Sequence, residues 1–152
     1  MKQRKILVIE DDIGLIDDIQ TYAGLAGSTK FVVIEATNFY EAREQIRTGT
    51  VDIVITDSQM PSKGLYKKYN GTMLNGWNFL CEMADDKEEN FLSLLNSGKI
   101  IIFTAYLDLV EDAAKNDTAH RYIFDKCKGM EKMRETNDEG EIRRLLSTCE
   151  TL

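Results

Sequence analysis

Four short apolar runs in this chain each end in residues that could do polar chemistry. Ile6-Leu7-Val8-Ile9 runs into Glu10-Asp11-Asp12, and residues 51–56 run into Asp57. Ile100-Ile101-Ile102-Phe103 ends at Thr104, and Tyr122-Ile123-Phe124 ends at Asp125-Lys126. If Glu10, Asp11 and Asp57 met, their like charges would resist joint ionisation unless something compensated them. A divalent cation together with the Lys126 ammonium would balance the site. Hard oxygen ligands with open positions suit Mg2+, which keeps waters and often shares a phosphate. An aspartate, with a reference pKa of about 3.9, is ionised at neutral pH and can attack a phosphoryl group without a base. Such transfer is mostly positioning and charge neutralisation. A metal, a lysine ammonium and the Thr104 hydroxyl are suitable groups to hold the phosphoryl oxygens.

Those residues can meet only if the runs are strands of one sheet. Between the runs, apolar residues recur at helical spacing. Ile13, Ile16, Ile19 and Ala23 predict a first helix that Gly24 or Gly27 can end, with Asp12 as a candidate N-cap. Asn38 followed by Glu41 reads as a capping box, Ala42 and Ile46 continue that helix, and Gly49 closes it. Residues 77–83, then Leu109-Val110 with Ala113-Ala114, then Ile142 with Leu145-Leu146 predict three more helices. Residues 31–34 supply a further strand, and 122–124 are read as the fifth. Continuous apolar strands alternating with helices mean a parallel sheet covered on both faces. The expected fold is α/β, flavodoxin-like, with five parallel strands in the order 2-1-3-4-5. In that order strands one and three are neighbours at the topological switch point, where ligands bind, so Glu10, Asp11 and Asp57 should converge.

Composition narrows the classes. The chain has 152 residues, 43% hydrophobic and 30% charged, which is one ordinary globular domain and not a disordered or low-complexity segment. Its net charge of −7 repels phosphate backbones, arguing against a direct nucleic-acid partner. No apolar run approaches the roughly 20 residues of a membrane span, and the basic start leads into too short an apolar stretch for a signal peptide. Cys81, Cys127 and Cys149 are widely spaced with no CxxC, which reads as idle thiols in a reducing cytoplasm. The single histidine, His120, is read as a surface or partly packed residue, and Trp77 as core. No nucleotide P-loop is present.

The combination Lys5-Ile6-Leu7-Val8-Ile9-Glu10-Asp11-Asp12, then Asp57-Ser58-Gln59-Met60-Pro61, then Phe103-Thr104-Ala105, then Lys126 resembles the receiver domain of two-component response regulators. The resemblance spans residues 3–148 and treats 1–152 as a single receiver domain. It implies that Asp57 is the phospho-acceptor, with Thr104 and Lys126 as the switch hydroxyl and lysine. It also implies that Asp11 binds Mg2+ directly, Glu10 through water, and Gln59 through its backbone carbonyl. Partners would be a histidine kinase or phosphotransfer protein and a downstream protein. A homodimer through the face of the fourth helix, fifth strand and fifth helix is a further expectation.

Three departures from the family stand out. Receivers usually carry a cis proline after the lysine, whereas Cys127 follows Lys126. A cis bond there costs about 2.5–4 kcal/mol, so a trans bond is expected. The family's switch aromatic sits three residues before the lysine, at Ile123, with Tyr122 one residue earlier. The stretch between Asp57 and Thr104 is also long. An insert at 62–73 holds Lys63, Tyr66, Lys67, Lys68 and Tyr69, read either as a solvated loop or as a lid or docking loop. A second insert at 85–96 opens with Asp85-Asp86-Lys87-Glu88-Glu89, read as a helix extension plus surface turn. Bulky Tyr106, two residues after Thr104, could shield a phosphoryl group or point to solvent.

The leading functional expectation is therefore a phosphorylation-controlled receiver that promotes only its own phosphorylation and dephosphorylation, standing alone if the chain is complete and feeding a downstream output domain if it is not. The alternative is a receiver-fold interaction module that no longer switches by phosphate. An Asp-nucleophile phosphatase ranks below both, because Gln59 stands where such enzymes want a general acid.

Overall fold

The computed structural model describes residues 3–25, 30–66, 73–132 and 139–152. Five parallel strands lie in the order β2-β1-β3-β4-β5: β1 (Arg4–Ile9), β2 (Phe31–Ala36), β3 (Ile53–Thr56), β4 (Ile100–Thr104) and β5 (Lys128–Glu131). Around them run α1 (Ile13–Leu25), α2 (Phe39–Arg47), α3 (Asn75–Asp85), α4 (Glu89–Asn96), α5 (Leu107–Lys115), α6 (Arg121–Lys126) and α7 (Glu139–Thr151). This is the flavodoxin-like sheet that the alternation of runs predicts.

The strands are apolar throughout because both faces are covered, and their period of two sorts the core into halves. Leu7, Ile9, Val54, Ile100 and Ile102 face α2, α3, α4 and α5. Ile6, Val8, Ile53, Ile55, Ile101 and Phe103 face α1 and α7. Trp77 lies in the first half, edge-on to Phe124 with ring centroids 6.3 Å apart.

Local signals set the helix ends. Asp12 Oδ1 accepts from the Leu15 amide at 3.2 Å, capping α1. That helix runs past Gly24, one of the two glycines that could have ended it. At α2, Asn38 Oδ1 accepts from the Glu41 amide at 3.0 Å, the predicted cap, while Glu41 reaches one residue beyond the N-cap to the Thr37 amide at 3.0 Å. Gly49, at φ +72°, closes the same helix. The charged stretch after residue 85 is a turn leading into α4, a separate helix whose Phe91 and Leu95 are fully buried.

One element differs from expectation. Tyr122-Ile123-Phe124 lies inside α6, and the fifth strand is Lys128-Gly129-Met130-Glu131, paired with β4 from Ile101↔Lys128 to Thr104↔Glu131. A three-residue apolar run does not distinguish helix from strand. The true strand carries a glycine and three charged or flexible residues, and only Met130 is buried, because β5 is an edge.

The first part of the long loop after β3 is tied down. Arg43 Nη2 lies 2.7 Å from Glu82 Oε1, and both side chains are nearly inaccessible (2% and 0%). Arg43 also donates to the Gly64 carbonyl at 2.9 Å, and Glu82 accepts from the Tyr66 amide at 3.0 Å. The Tyr66 ring covers the guanidinium at 3.8 Å. Residues 63–66 are thus fastened to α2 and α3, while Lys67, Lys68 and Tyr69 lie outside the described residues.

Candidate functional site

The carboxyl ends of β1, β3, β4 and β5 form one edge of the sheet, and backbone pairing carries on into the site. The Asp57 amide donates to Ile9 O at 3.3 Å, the Glu10 amide to Ala36 O at 3.0 Å, and the Lys132 amide to Thr104 O at 3.0 Å. These three bonds fix where the three side chains leave the sheet. Lys132 Nζ lies 2.8 Å from Asp57 Oδ2 and 3.3 Å from Glu10 Oε2. Glu10 Oε1 accepts from the Asp11 and Asp12 amides, each at 3.1 Å, and Asp57 Oδ1 accepts from the Gln59 amide at 3.2 Å.

The lysine of this constellation is therefore Lys132, and the assignment to Lys126 is corrected. Lys126 is exposed at the last turn of α6, before β5 begins. Its misplacement follows from reading 122–124 as a strand: the true edge strand ends at Glu131. Lys126–Cys127 is trans, as no cis peptide occurs among the described residues. The neighbour after the true lysine, Met133, lies outside them. Three residues before Lys132 stands Gly129, so neither Ile123 nor Tyr122 occupies the position of the switch aromatic. A Cβ built at Gly129 would meet Leu107 Cδ1 at 2.9 Å, so the Leu107 side chain fills that space. The sequence signal for Lys132 is faint: a single buried residue, Met130, between half-buried Gly129 and exposed Glu131.

Electrostatics bind the three charged groups together. Burial pushes the Glu10 carboxyl up to about 8; the Lys132 ammonium opposes this shift and the Asp57 carboxylate adds to it. Burial alone would lower Lys132, but Asp57 and then Glu10 outweigh it and hold the ammonium above its ordinary value. One cation thus serves two buried carboxylates.

Two cavities open beside them. One, of about 190 Å³, is lined by Glu10, Asp12, Asp57, Gln59, Ala105, Tyr106 and Lys132. The other, of about 510 Å³, is lined by Asp11, Gln59, Met60, Pro61, Ser62, Met73 and Asn75. The structure thus brings Glu10 and Asp57 together, places Asp11 in the adjoining cavity, and puts Gln59 on the border of both. Half-buried Tyr106 borders the Asp57 cavity.

The donor chemistry fits a hard cation. Glu10, Asp11, Asp57 and Gln59 bring carboxyl and amide oxygens to the border of the cavities, and the pair Glu10–Asp57 shares the Lys132 ammonium. No cage of three or more metal-ligating side chains exists among the described residues. Carboxyl oxygens beside an open cavity are the hard donors that suit Mg2+, a cation that keeps waters and shares phosphate oxygens.

Thr104 is wholly buried, and its hydroxyl meets that of Ser58, also wholly buried, with Oγ–Oγ1 at 2.5 Å. Ser58 was not singled out from sequence, since serine after an acid carries no spacing signal. The loop between is held by the pair Asn75-Gly76: Asn75 Nδ2 donates to Met60 O at 2.6 Å, and the Gly76 amide to Ser58 O at 2.9 Å.

The cysteines are free, with Cys81 and Cys149 buried and Cys127 half-buried. Burial pushes the Cys127 and Cys149 thiols each up to about 12 and Cys81 higher still, which leaves them poor nucleophiles. No helix among the described residues is long and apolar enough to cross a membrane.

No protein-family model matches the sequence, and no curated protein matches it either. Solved structures do match in fold. The receiver domain of the Francisella response regulator 1452 shares 19% identity over 98% of this chain and 95% of its own, at a TM-score of 0.57. Chemotaxis response regulator CheY4 of Vibrio cholerae shares 16% over 97% of this chain and 99% of its own, at 0.59. Response regulator TrrA from Thermotoga maritima, in complex with Mg2+-BeF, shares 20% over 97% and 99%, at 0.56. The chain has the receiver fold, along nearly its whole length.

Proposed function

We propose that this chain is a phosphoryl-accepting receiver of a two-component phosphorelay. The observation that carries the reading is the joint placement of Asp57, Glu10 and Lys132 at the carboxyl edge of a receiver-fold sheet. Asp57 Oδ attacks the phosphorus of a phosphohistidine on a histidine kinase or phosphotransfer protein. The P–N bond breaks, and the histidine nitrogen leaves with its electron pair. Lys132 holds Asp57 in place before transfer and offers its ammonium to a phosphoryl oxygen afterwards. Thr104 is the hydroxyl within reach of the same loop. Glu10, Asp11, Asp57 and the Gln59 backbone carbonyl are the residues that would hold Mg2+, which supplies positive charge toward the phosphoryl oxygens when bound. Tyr106, at the wall of the Asp57 cavity, restricts the approach of water.

The added charge of about −1.5 to −2 biases the β4–α5 segment between two arrangements, and a downstream protein reads the difference. The chain acts as a switch and promotes no turnover beyond its own phosphorylation and dephosphorylation. A second reading, an interaction module indifferent to phosphate, is favoured by Gly129 standing where receivers carry their switch aromatic.

The test is intact mass after incubation with acetyl phosphate, with and without Mg2+, on wild type and Asp57→Asn. A Mg2+-dependent gain of one phosphoryl group, absent from the variant, is the expected result. A folded protein that gains nothing under any condition supports the interaction module.

A further inference from the structure

We propose that Ser58 is a positioning residue that holds the Thr104 hydroxyl off Asp57 until a phosphoryl group competes for it. The inference rests on the receiver reading and extends it to Ser58, a residue of the matched stretch to which the resemblance assigns no role. Ser58 and Thr104 both have 0% exposure, and their hydroxyl oxygens lie 2.5 Å apart. The backbones on either side are fixed: the Ser58 carbonyl by the Gly76 amide, the Thr104 carbonyl by the Lys132 amide. Only side-chain rotation can separate the two hydroxyls.

A threonine hydroxyl has one proton and two lone pairs. One lone pair of Thr104 Oγ1 already accepts from the Tyr106 amide at 3.1 Å. Its proton and second lone pair remain; either hydroxyl can be the donor of the Ser58–Thr104 bond, and in the proposed resting arrangement Thr104 gives its proton to Ser58 Oγ. The described hydrogen bonds of the Asp57 side chain go instead to Lys132 Nζ and the Gln59 amide. With its proton on Ser58, Thr104 can donate to a phosphoryl oxygen on Asp57 only by giving up that bond. The serine hydroxyl then stays behind in a dry site with its partner gone, which disfavours the engaged arrangement by about fivefold. Tyr106 is drawn along, because its amide is bonded to the same oxygen. Ser58 thereby sets how far the β4–α5 segment rests on the disengaged side.

Beryllofluoride with Mg2+ serves as the phosphoryl mimic. Its affinity is measured by calorimetry on wild type, Ser58→Ala, Thr104→Ala and the double variant, with circular dichroism to verify folding. Ser58→Ala is expected to bind about fivefold more tightly, and Thr104→Ala more weakly. The gain should vanish in the Thr104→Ala background, since Ser58 acts through Thr104. The Tyr106 amide resonance of the ligand-free protein should move in Ser58→Ala, independently of any ligand. Unchanged or weaker binding by Ser58→Ala, or a gain that survives in the double variant, overturns the role of Ser58 and leaves the receiver reading standing. Absence of binding by folded wild type overturns both.

Discussion

Lys132 Nζ sits 2.8 Å from Asp57 Oδ2 and 3.3 Å from Glu10 Oε2, so one ammonium bridges two carboxyl groups that are almost wholly buried. Removing it leaves the buried Asp57 carboxylate without its counter-charge and pushes the Glu10 carboxyl further toward its neutral form. Lys132→Ala is expected to lower stability at neutral pH by about 2 kcal/mol, less than the full cost of breaking a deeply buried pair because the lysine is partly exposed. Lys126→Ala, on the outside of α6, should stay within about 0.5 kcal/mol of wild type. Urea midpoints decide between them, and equal losses in the two variants would contradict the reassignment.

What the sequence made legible, and what it hid, follows from how each residue is fixed. Glu10, Asp57 and Thr104 end strongly apolar runs in the middle of the sheet, where burial on both faces demands continuous Val and Ile. Those runs could hardly be misread. Lys132 ends an edge strand with one buried side chain, where burial writes almost no pattern, and a neighbouring helical turn mimics a strand with Tyr122-Ile123-Phe124. The Arg43–Glu82 pair joins residues far apart in the chain, each unremarkable on its own helix. Only the fold shows that they meet. Ser58 is similar: its role depends on a partner one strand away.

That buried pair makes its own prediction. Glu82 accepts from Arg43 and from the Tyr66 amide, and Arg43 holds the Gly64 carbonyl. Glu82→Ala leaves a guanidinium in the core without its counter-charge and is expected to destabilise by about 3–5 kcal/mol. Arg43→Met/Glu82→Leu, which removes both charges, should recover much of that loss. Denaturant melts of the three proteins test it. A single variant no worse than the double one would show that the pair does not fasten the loop.

Gly76 predicts a local effect with a distant readout. A Cβ there would stand 1.7 Å from the Asp57 carbonyl oxygen and 3.0 Å from Ser58 Cα. Both are backbone, so the loop itself must shift. Gly76→Ala is expected to cost about 3 kcal/mol and to slow phosphorylation of Asp57 by about 100-fold, the scale of an ångström's misplacement. Phosphorylation rates by intact mass, taken where the variant is fully folded, separate the two effects. A variant that phosphorylates at the wild-type rate would show that the glycine serves stability alone.

His120 gives the pH dependence. Its Nε2 lies 2.8 Å from Asp85 Oδ1 and its Nδ1 2.7 Å from Asp117 Oδ2, tying the start of α6 to the end of α3. Both ring nitrogens face carboxylates, an arrangement that wants both N–H groups. Burial alone would lower the His120 pKa, but the bonds to Asp85 and then Asp117 outweigh it and raise it above 6.5. Burial likewise opposes the shift of Asp117, which the His120 hydrogen bond wins, lowering it below 3.8. A raised histidine contributes its full stability below about pH 6.5 and loses it as pH climbs through the folded value. On the acid side, the Asp117 contribution is present above the ordinary carboxylate value and is lost as pH falls through its lowered one. Because Asp85 and Asp117 are partly exposed (37% and 46%), solvent screens the pair, and His120→Gln should cost about 1 kcal/mol near pH 6. The gap between variant and wild type should then narrow toward about pH 9 as the imidazolium deprotonates. Thermal melts across that range measure it, and a gap of constant size would mean that His120 is held neutral.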